Sequence, residues 1–187
     1  MKFIVIDGLD GAGKDTQAQL IYEDYKNKGY NVVLRSHPSI DTNYGRKSKE
    51  ALLKTGKINH LKATVFYGLD VISSVKKYFK KDDIDILIFS RYTLAVVYLP
   101  NIINLIIYKI VSIALPVSNY MFFLDVSPDE SLKRLSTRDE AEEMFENKKA
   151  LVKARNKSLN VIYNWNIIDA NRDPLTINEE IKKLIKD

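Results

Sequence analysis

The stretch Phe3-Ile4-Val5-Ile6-Asp7-Gly8-Leu9-Asp10-Gly11-Ala12-Gly13-Lys14-Asp15-Thr16 runs from an apolar tetrad into a glycine-rich turn. It leaves that turn as a helical pattern, Gln17-Ala18-Gln19-Leu20-Ile21. Strand, loop and helix in this order are the context a phosphate-binding loop requires. The glycines let successive N–H groups face an anion, and the helix N-terminus adds a favourable dipole. Lys14 can reach the outer phosphates as a point charge. The expected nucleotide-binding residues are therefore Gly8, Leu9, Asp10, Gly11, Ala12, Gly13, Lys14, Asp15 and Thr16. One position departs from G-x-x-x-x-G-K-[ST]: Asp15 follows Lys14 where a hydroxyl is usual. A carboxylate there can ligate Mg²⁺ directly or through water, and Thr16 stands one residue on; both are candidate metal contacts.

Outward from this loop, apolar runs alternate with helical patterns. Val32-Val33-Leu34, Ile84 to Phe89, Tyr120 to Leu124 and Asn166 to Asp169 read as four further strands. Continuous apolar runs mark strands buried on both faces, as in a parallel sheet covered by helices. The expected fold is α/β: a doubly wound parallel five-stranded sheet flanked by helices, of the P-loop NTPase type. The 187 residues suit one domain, with a small helical lid over roughly 134–146. Ser127-Pro128-Asp129-Glu130 reads as a helix start leading toward that lid, with Pro in the first turn.

Composition narrows the chemistry. The chain has no cysteine, which excludes disulfides, thiol catalysis and cysteine-ligated metals. His37 and His60 are its only imidazoles. The net charge of +5 is mild and diffuse, compatible with anionic substrates and without the dense basic tract that nucleic acid binding favours. The uncharged stretch Tyr92 to Tyr108, continued by Val111 to Leu124, is interrupted by Pro100, Asn101, Asn104, Lys109 and Pro116. It reads as a buried helix or a subunit contact rather than a membrane span, which needs about 20 apolar residues. An acid at position 7 does not suit a signal peptide, and a cytoplasmic location is expected.

Several pieces in this order resemble the thymidylate kinase family over nearly the whole chain, from Phe3 to Ile185. They are the loop with Asp10, Arg91-Tyr92 after the third strand, Leu124 to Asp129 with Leu132-Lys133-Arg134, and Trp165 to Ala170. The resemblance implies transfer of the ATP γ-phosphate to dTMP to give dTDP, with Mg²⁺ accompanying ATP. It also implies a homodimer through helices beside the acceptor site. The segment Asn59 to Phe79 and the apolar stretch Leu99 to Leu115 are the candidate faces. Phosphoryl transfer needs alignment and cations around the moving group. Lys14, Arg91 and a lid arginine, Arg134 or Arg138, are the expected cage, and Arg155 is a further cation that could face inward. By the resemblance, Asp10 approaches the acceptor sugar and the metal shell. Pro38 shapes the acceptor pocket from the family's Phe-Pro position, often through a cis bond.

Three departures fall in the acceptor site. Ile40 stands near a usual arginine, with Arg46 and Lys47 the nearby cations, and Ser90 replaces the aspartate before Arg91. Gapless placement of the family's Phe-x-x-x-Arg puts Phe66 at the ring-stacking position and Asp70 at the arginine, on one helix face. An ionised Asp70 accepts hydrogen bonds and cannot donate to a thymine carbonyl. The alternatives are a kinase of this fold with another nucleotide acceptor, a shifted register at Asp70, or a degenerate nucleotide-binding switch module.

Overall fold

The computed structural model describes residues 1–99, 101–137 and 147–185. Five parallel strands form one sheet: β1 (Lys2–Gly8), β2 (Val32–Ser36), β3 (Ile86–Ser90), β4 (Tyr120–Asp125) and β5 (Asn166–Asp169). Their order is β2-β3-β1-β4-β5. From β1 the chain goes to the edge strand β2, returns to place β3 between them, and then crosses to β4 and β5 on the other side, so a switch point lies beside β1, where such sheets bind ligands at their carboxyl ends. Register is set by apolar alternation. Ile4, Ile6, Ile86 and Ile88 pack with Ala18 and Ile21 of α1 (Lys14–Asn27) and with Ile177 and Ile181 of α7 (Pro174–Leu184). Phe3, Val5, Leu87 and Phe89 point the other way, to Tyr67 and Val71 of α3 (Lys57–Tyr78).

The connections follow local chemistry. Gly13, at φ 87°, opens α1, and Gly29, at φ 86°, follows its end. Thr42 caps α2 (Asn43–Leu52) by accepting from the Gly45 amide. A 3₁₀ turn (Leu94–Tyr98) precedes α4 (Asn101–Ala114). The interrupted apolar stretch is therefore a 14-residue helix. No helix among the described residues is long and apolar enough to cross a membrane. Ser127 caps α5 (Pro128–Leu135), as its Ser-Pro start suggests, and Asn147 caps α6 (Lys148–Val161). The expected lid beyond Thr137, Arg138 included, lies outside the described residues.

On the α4 side, Tyr108, Ser112, Leu115, Val161, Tyr163 and Trp165 line a cavity of about 590 Å³. Trp165, the chain's single tryptophan, is half-buried there and donates its indole N–H to the Tyr108 hydroxyl at 3.2 Å.

Candidate active site

The carboxyl ends of β1, β2 and β3 open into a cleft. The loop lines it with Asp7, Gly8, Leu9, Asp10, Lys14 and Asp15; the end of β2 adds Ser36, His37 and Pro38. Ser48, Lys49 and Leu52 of α2, Ala63, Thr64 and Tyr67 of α3, Arg91, and the turn at Leu94 to Tyr98 close the sides.

Lys14 is buried inside the loop. Its Nζ donates to the Gly8 carbonyl at 3.0 Å and the Leu9 carbonyl at 2.5 Å, and lies 3.5 Å from an Asp10 oxygen. Burial pushes its pKa down, against the pull of Asp10. Asp10 also accepts from the Tyr98 hydroxyl at 3.1 Å. Burial alone would raise the Asp10 pKa, but Lys14 and Arg91 outweigh it and hold the carboxyl below its ordinary value. The loop is braced from α5. Ser131 Oγ donates to the Asp10 carbonyl, and a Cβ on Gly11 would stand 2.7 Å from the Ser131 carbonyl oxygen. Arg134 leans back over this junction, its Nη1 3.5 Å from the Gly11 carbonyl and its Nε bonded to Glu130 at 2.9 Å.

Asp15 has three partners from two other strands. Arg91 Nη1 donates to its two oxygens at 2.9 and 2.7 Å, and the Ser36 and Ser90 hydroxyls each donate at 2.7 Å. Burial works against the Asp15 charge, yet Arg91 and the two hydroxyls hold its pKa well below the usual carboxylate range. Likewise, burial disfavours the Arg91 cation, but Asp15 and Asp10 more than offset it. The hydroxyl of Ser90 thus bonds the carboxylate of Asp15, which stands where the loop pattern has a hydroxyl.

Arg91 adopts a left-handed backbone, φ 63°, unusual for a residue with a Cβ. Its amide donates to Ile6 O at 2.9 Å, and its carbonyl pairs with His37 Nδ1 at 2.9 Å. Buried Asp7 accepts from the amides of Tyr92 and Leu94 at 2.9 and 3.3 Å, fixing the turn that follows. Burial raises the Asp7 pKa, with Lys14 and these amides opposing.

The other expected site residues divide. Pro38 lines the cleft and follows a cis peptide bond. Thr16 is exposed and outside the lining. Phe66 is also outside it, with Lys47 Nζ 5.5 Å from its ring centre; the next residue, Tyr67, lines the cleft instead. Asp70 is fully buried beneath the β2–α2 loop, accepting from the Ser39 amide at 2.7 Å and from the Thr42 hydroxyl. Both its oxygens are engaged away from the lining. The rotation of roughly 100° between Phe66 and Tyr67 on the helix decides which ring faces the strand ends, and periodicity alone does not fix that. Arg46 turns to the Ile40 carbonyl at 3.0 Å, so the α2 cation lining the cleft is Lys49. Arg155 forks onto Asp125 at 2.6 and 2.7 Å. Sequence reasoning missed Lys49, Tyr67, Tyr98 and the Asp7 brace. For Asp7, an acid inside an apolar strand was the available signal.

A family model described as thymidylate kinase matches residues 6–181. A probable thymidylate kinase of Sulfurisphaera tokodaii is 30% identical over 174 residues, covering 90% of this chain and 87% of the relative. One from Methanococcus aeolicus is 32% identical over 194 residues, covering 99% and 94%. Among solved structures, the thymidylate kinase of Candida albicans superposes with a TM-score of 0.74 at 18% identity, covering 98% of this chain and 90% of that one.

Proposed function

The chain belongs to the thymidylate kinase family, and from that premise we propose that its cleft transfers the γ-phosphoryl group of ATP to dTMP, giving ADP and dTDP. The observation that carries this reading is the meeting of Lys14, Asp15 and Arg91 at the carboxyl ends of β1 and β3. In the proposed mechanism the loop amides from Gly8 to Thr16 cradle the ATP phosphates, with Arg134 beside them. Lys14 moves from the loop carbonyls to the outer phosphates. Arg91 bridges donor and acceptor phosphates, and a lid arginine, Arg138, completes the cage. The acceptor occupies the space bounded by Pro38, Lys49, Tyr67 and Tyr98, with Asp10 turned to its sugar. Lys49 supplies a cation for its phosphate. Little covalent help is needed, since positioning and charge account for catalysis of this kind.

Mg²⁺ suits the donor set. This ion is held by one or two carboxylates together with substrate phosphates. Asp15, whose side chain keeps 54% of its exposure, and Asp10 are hard oxygen donors flanking the loop lysine. When bound, the ion would neutralise phosphate charge. Thr16 is a weaker candidate because it is outside the lining.

The alternative acceptor, which rests on Asp70 and Ile40, gains no support: the Asp70 carboxylate is engaged with Ser39 and Thr42, and Ile40 is exposed outside the cleft lining. We also propose a single kinase domain over 1–187, cytoplasmic, and a homodimer. α3 exposes Ile58, Leu61, Val65, Leu69 and Ile72, and α4 exposes Leu105, Ile106, Ile110 and Ile113.

The test is a transfer panel. Purified protein and Mg²⁺-ATP are incubated with each nucleoside monophosphate separately, and diphosphate is read by chromatography. The expected outcome is a clear preference for dTMP and loss of all transfer in Lys14→Ala. Transfer to another acceptor in preference to dTMP would overturn the substrate. Tight ATP binding without transfer to any would overturn the enzyme.

A further inference from the structure

His37 is fully buried, yet only one of its ring nitrogens has a partner. Nδ1 lies 2.9 Å from the Arg91 carbonyl oxygen, and Nε2 has no partner among the described residues. A carbonyl oxygen only accepts, so Nδ1 carries the proton, and in the neutral ring Nε2 then holds the bare lone pair. The ring is held in this orientation by Phe89, whose centre is 4.9 Å away, and Tyr67, at 6.3 Å. A flipped ring would face the Arg91 carbonyl with carbon.

The carbonyl at the other end belongs to a residue in a costly conformation. A left-handed backbone at a residue with a Cβ persists only where its surroundings over-determine it. Around Arg91 three contacts do so: Ile6 O on its amide, His37 on its carbonyl and Asp7 on the amides that follow. The strand ends also join here, because the His37 amide donates to Ser90 O at 3.0 Å.

We propose that His37 is a positioning residue: as the neutral Nδ1–H tautomer it clamps the Arg91 carbonyl and fixes the direction in which the Arg91 guanidinium leaves the backbone. The inference rests on the reading above that Arg91 acts on the phosphates. The role proposed for His37 is exerted through the Arg91 backbone. Phenylalanine would fill the same space without the donor.

The test pairs spectroscopy with kinetics. Imidazole ¹⁵N shifts are read on the wild-type chain. With two histidines, the His37 signal is assigned by its loss in His37→Phe. A pyrrole-type Nδ1 and a pyridine-type Nε2 are expected. In His37→Phe, kcat for dTMP should fall about 10- to 100-fold with KM for ATP unchanged, the scale of a misaimed catalytic group. His37→Asn, which keeps an N–H near the Nδ1 position, should recover most of that loss. A protonated Nε2, an unchanged kcat in His37→Phe, or an Asn variant no better than Phe would each overturn the clamp. If the wild-type chain transfers phosphate to no nucleotide, the kinase reading fails, while the tautomer still decides whether the clamp exists.

Discussion

At the residue scale, burial opposes the charges of Asp10, Asp15 and Arg91, and their neighbours more than offset it, whereas at His37 burial wins. Burial drives His37 down to about pH 4, with the Arg91 carbonyl opposing. The ordinary value is near 6.5, and an unfolded chain retains it. Between these values the unfolded state takes up a proton that the folded state refuses. Stability is therefore complete above pH 6.5 and lost as pH falls toward 4, by about 3 kcal/mol for a full shift of this size. Urea titrations across that window should give a falling midpoint in the wild-type chain and a flatter profile in His37→Phe. Asp15 has the same sense in a lower window, because its depressed pKa keeps the Arg91 pair intact until pH falls below the ordinary carboxylate value of 3.8.

At the scale of elements, Asp70 works as a rivet. Its carboxylate ties α3 to the loop that starts α2, through the Ser39 amide and the Thr42 hydroxyl that caps that helix. Asp70→Ala strands a buried amide and should lower unfolding free energy by about 1–3 kcal/mol. The order of preference among nucleoside monophosphates should not change. Thermal melts and the transfer panel measure the two outcomes; an altered base preference would return Asp70 to the acceptor site. The five strands were legible because apolar runs bounded by Gly8, Ser36 and Ser90 have little alternative to a buried parallel sheet. The loop was legible because its chemistry is local. What sequence spacing does not carry is which side of α3 faces inward, hence Tyr67 rather than Phe66, and which distant hydroxyls meet Asp15. Those partners are 21 and 75 residues away, and only the closed sheet makes them neighbours.

At the scale of the whole molecule, the outward face of α3 is the conspicuous feature. Leu61 and Val65 lie in a stripe at three- and four-residue spacing, 58% and 50% exposed. A helix that offers such a stripe to water is poorly matched to its solvent, and an isologous contact with a second copy would cover it. Sedimentation at micromolar concentration should give twice the chain mass. Val65→Glu, which sets a charge in the middle of the stripe, should shift the equilibrium to the single chain without lowering the melting temperature of that chain; a monomeric wild type would count against the dimer.

The placement of Trp165 has an optical consequence. The one indole chromophore sits in the cavity beside α4, which among the described residues shares no lining residue with the nucleotide cleft. Its emission is tuned by Tyr108 and the surrounding apolar walls, so it reports on the back of the sheet and on unfolding. Filling the cleft leaves those walls in place and the emission nearly unchanged. A nucleotide titration followed by intrinsic fluorescence would then stay flat even at full occupancy, and the chromophore that reads binding has to be carried by the nucleotide.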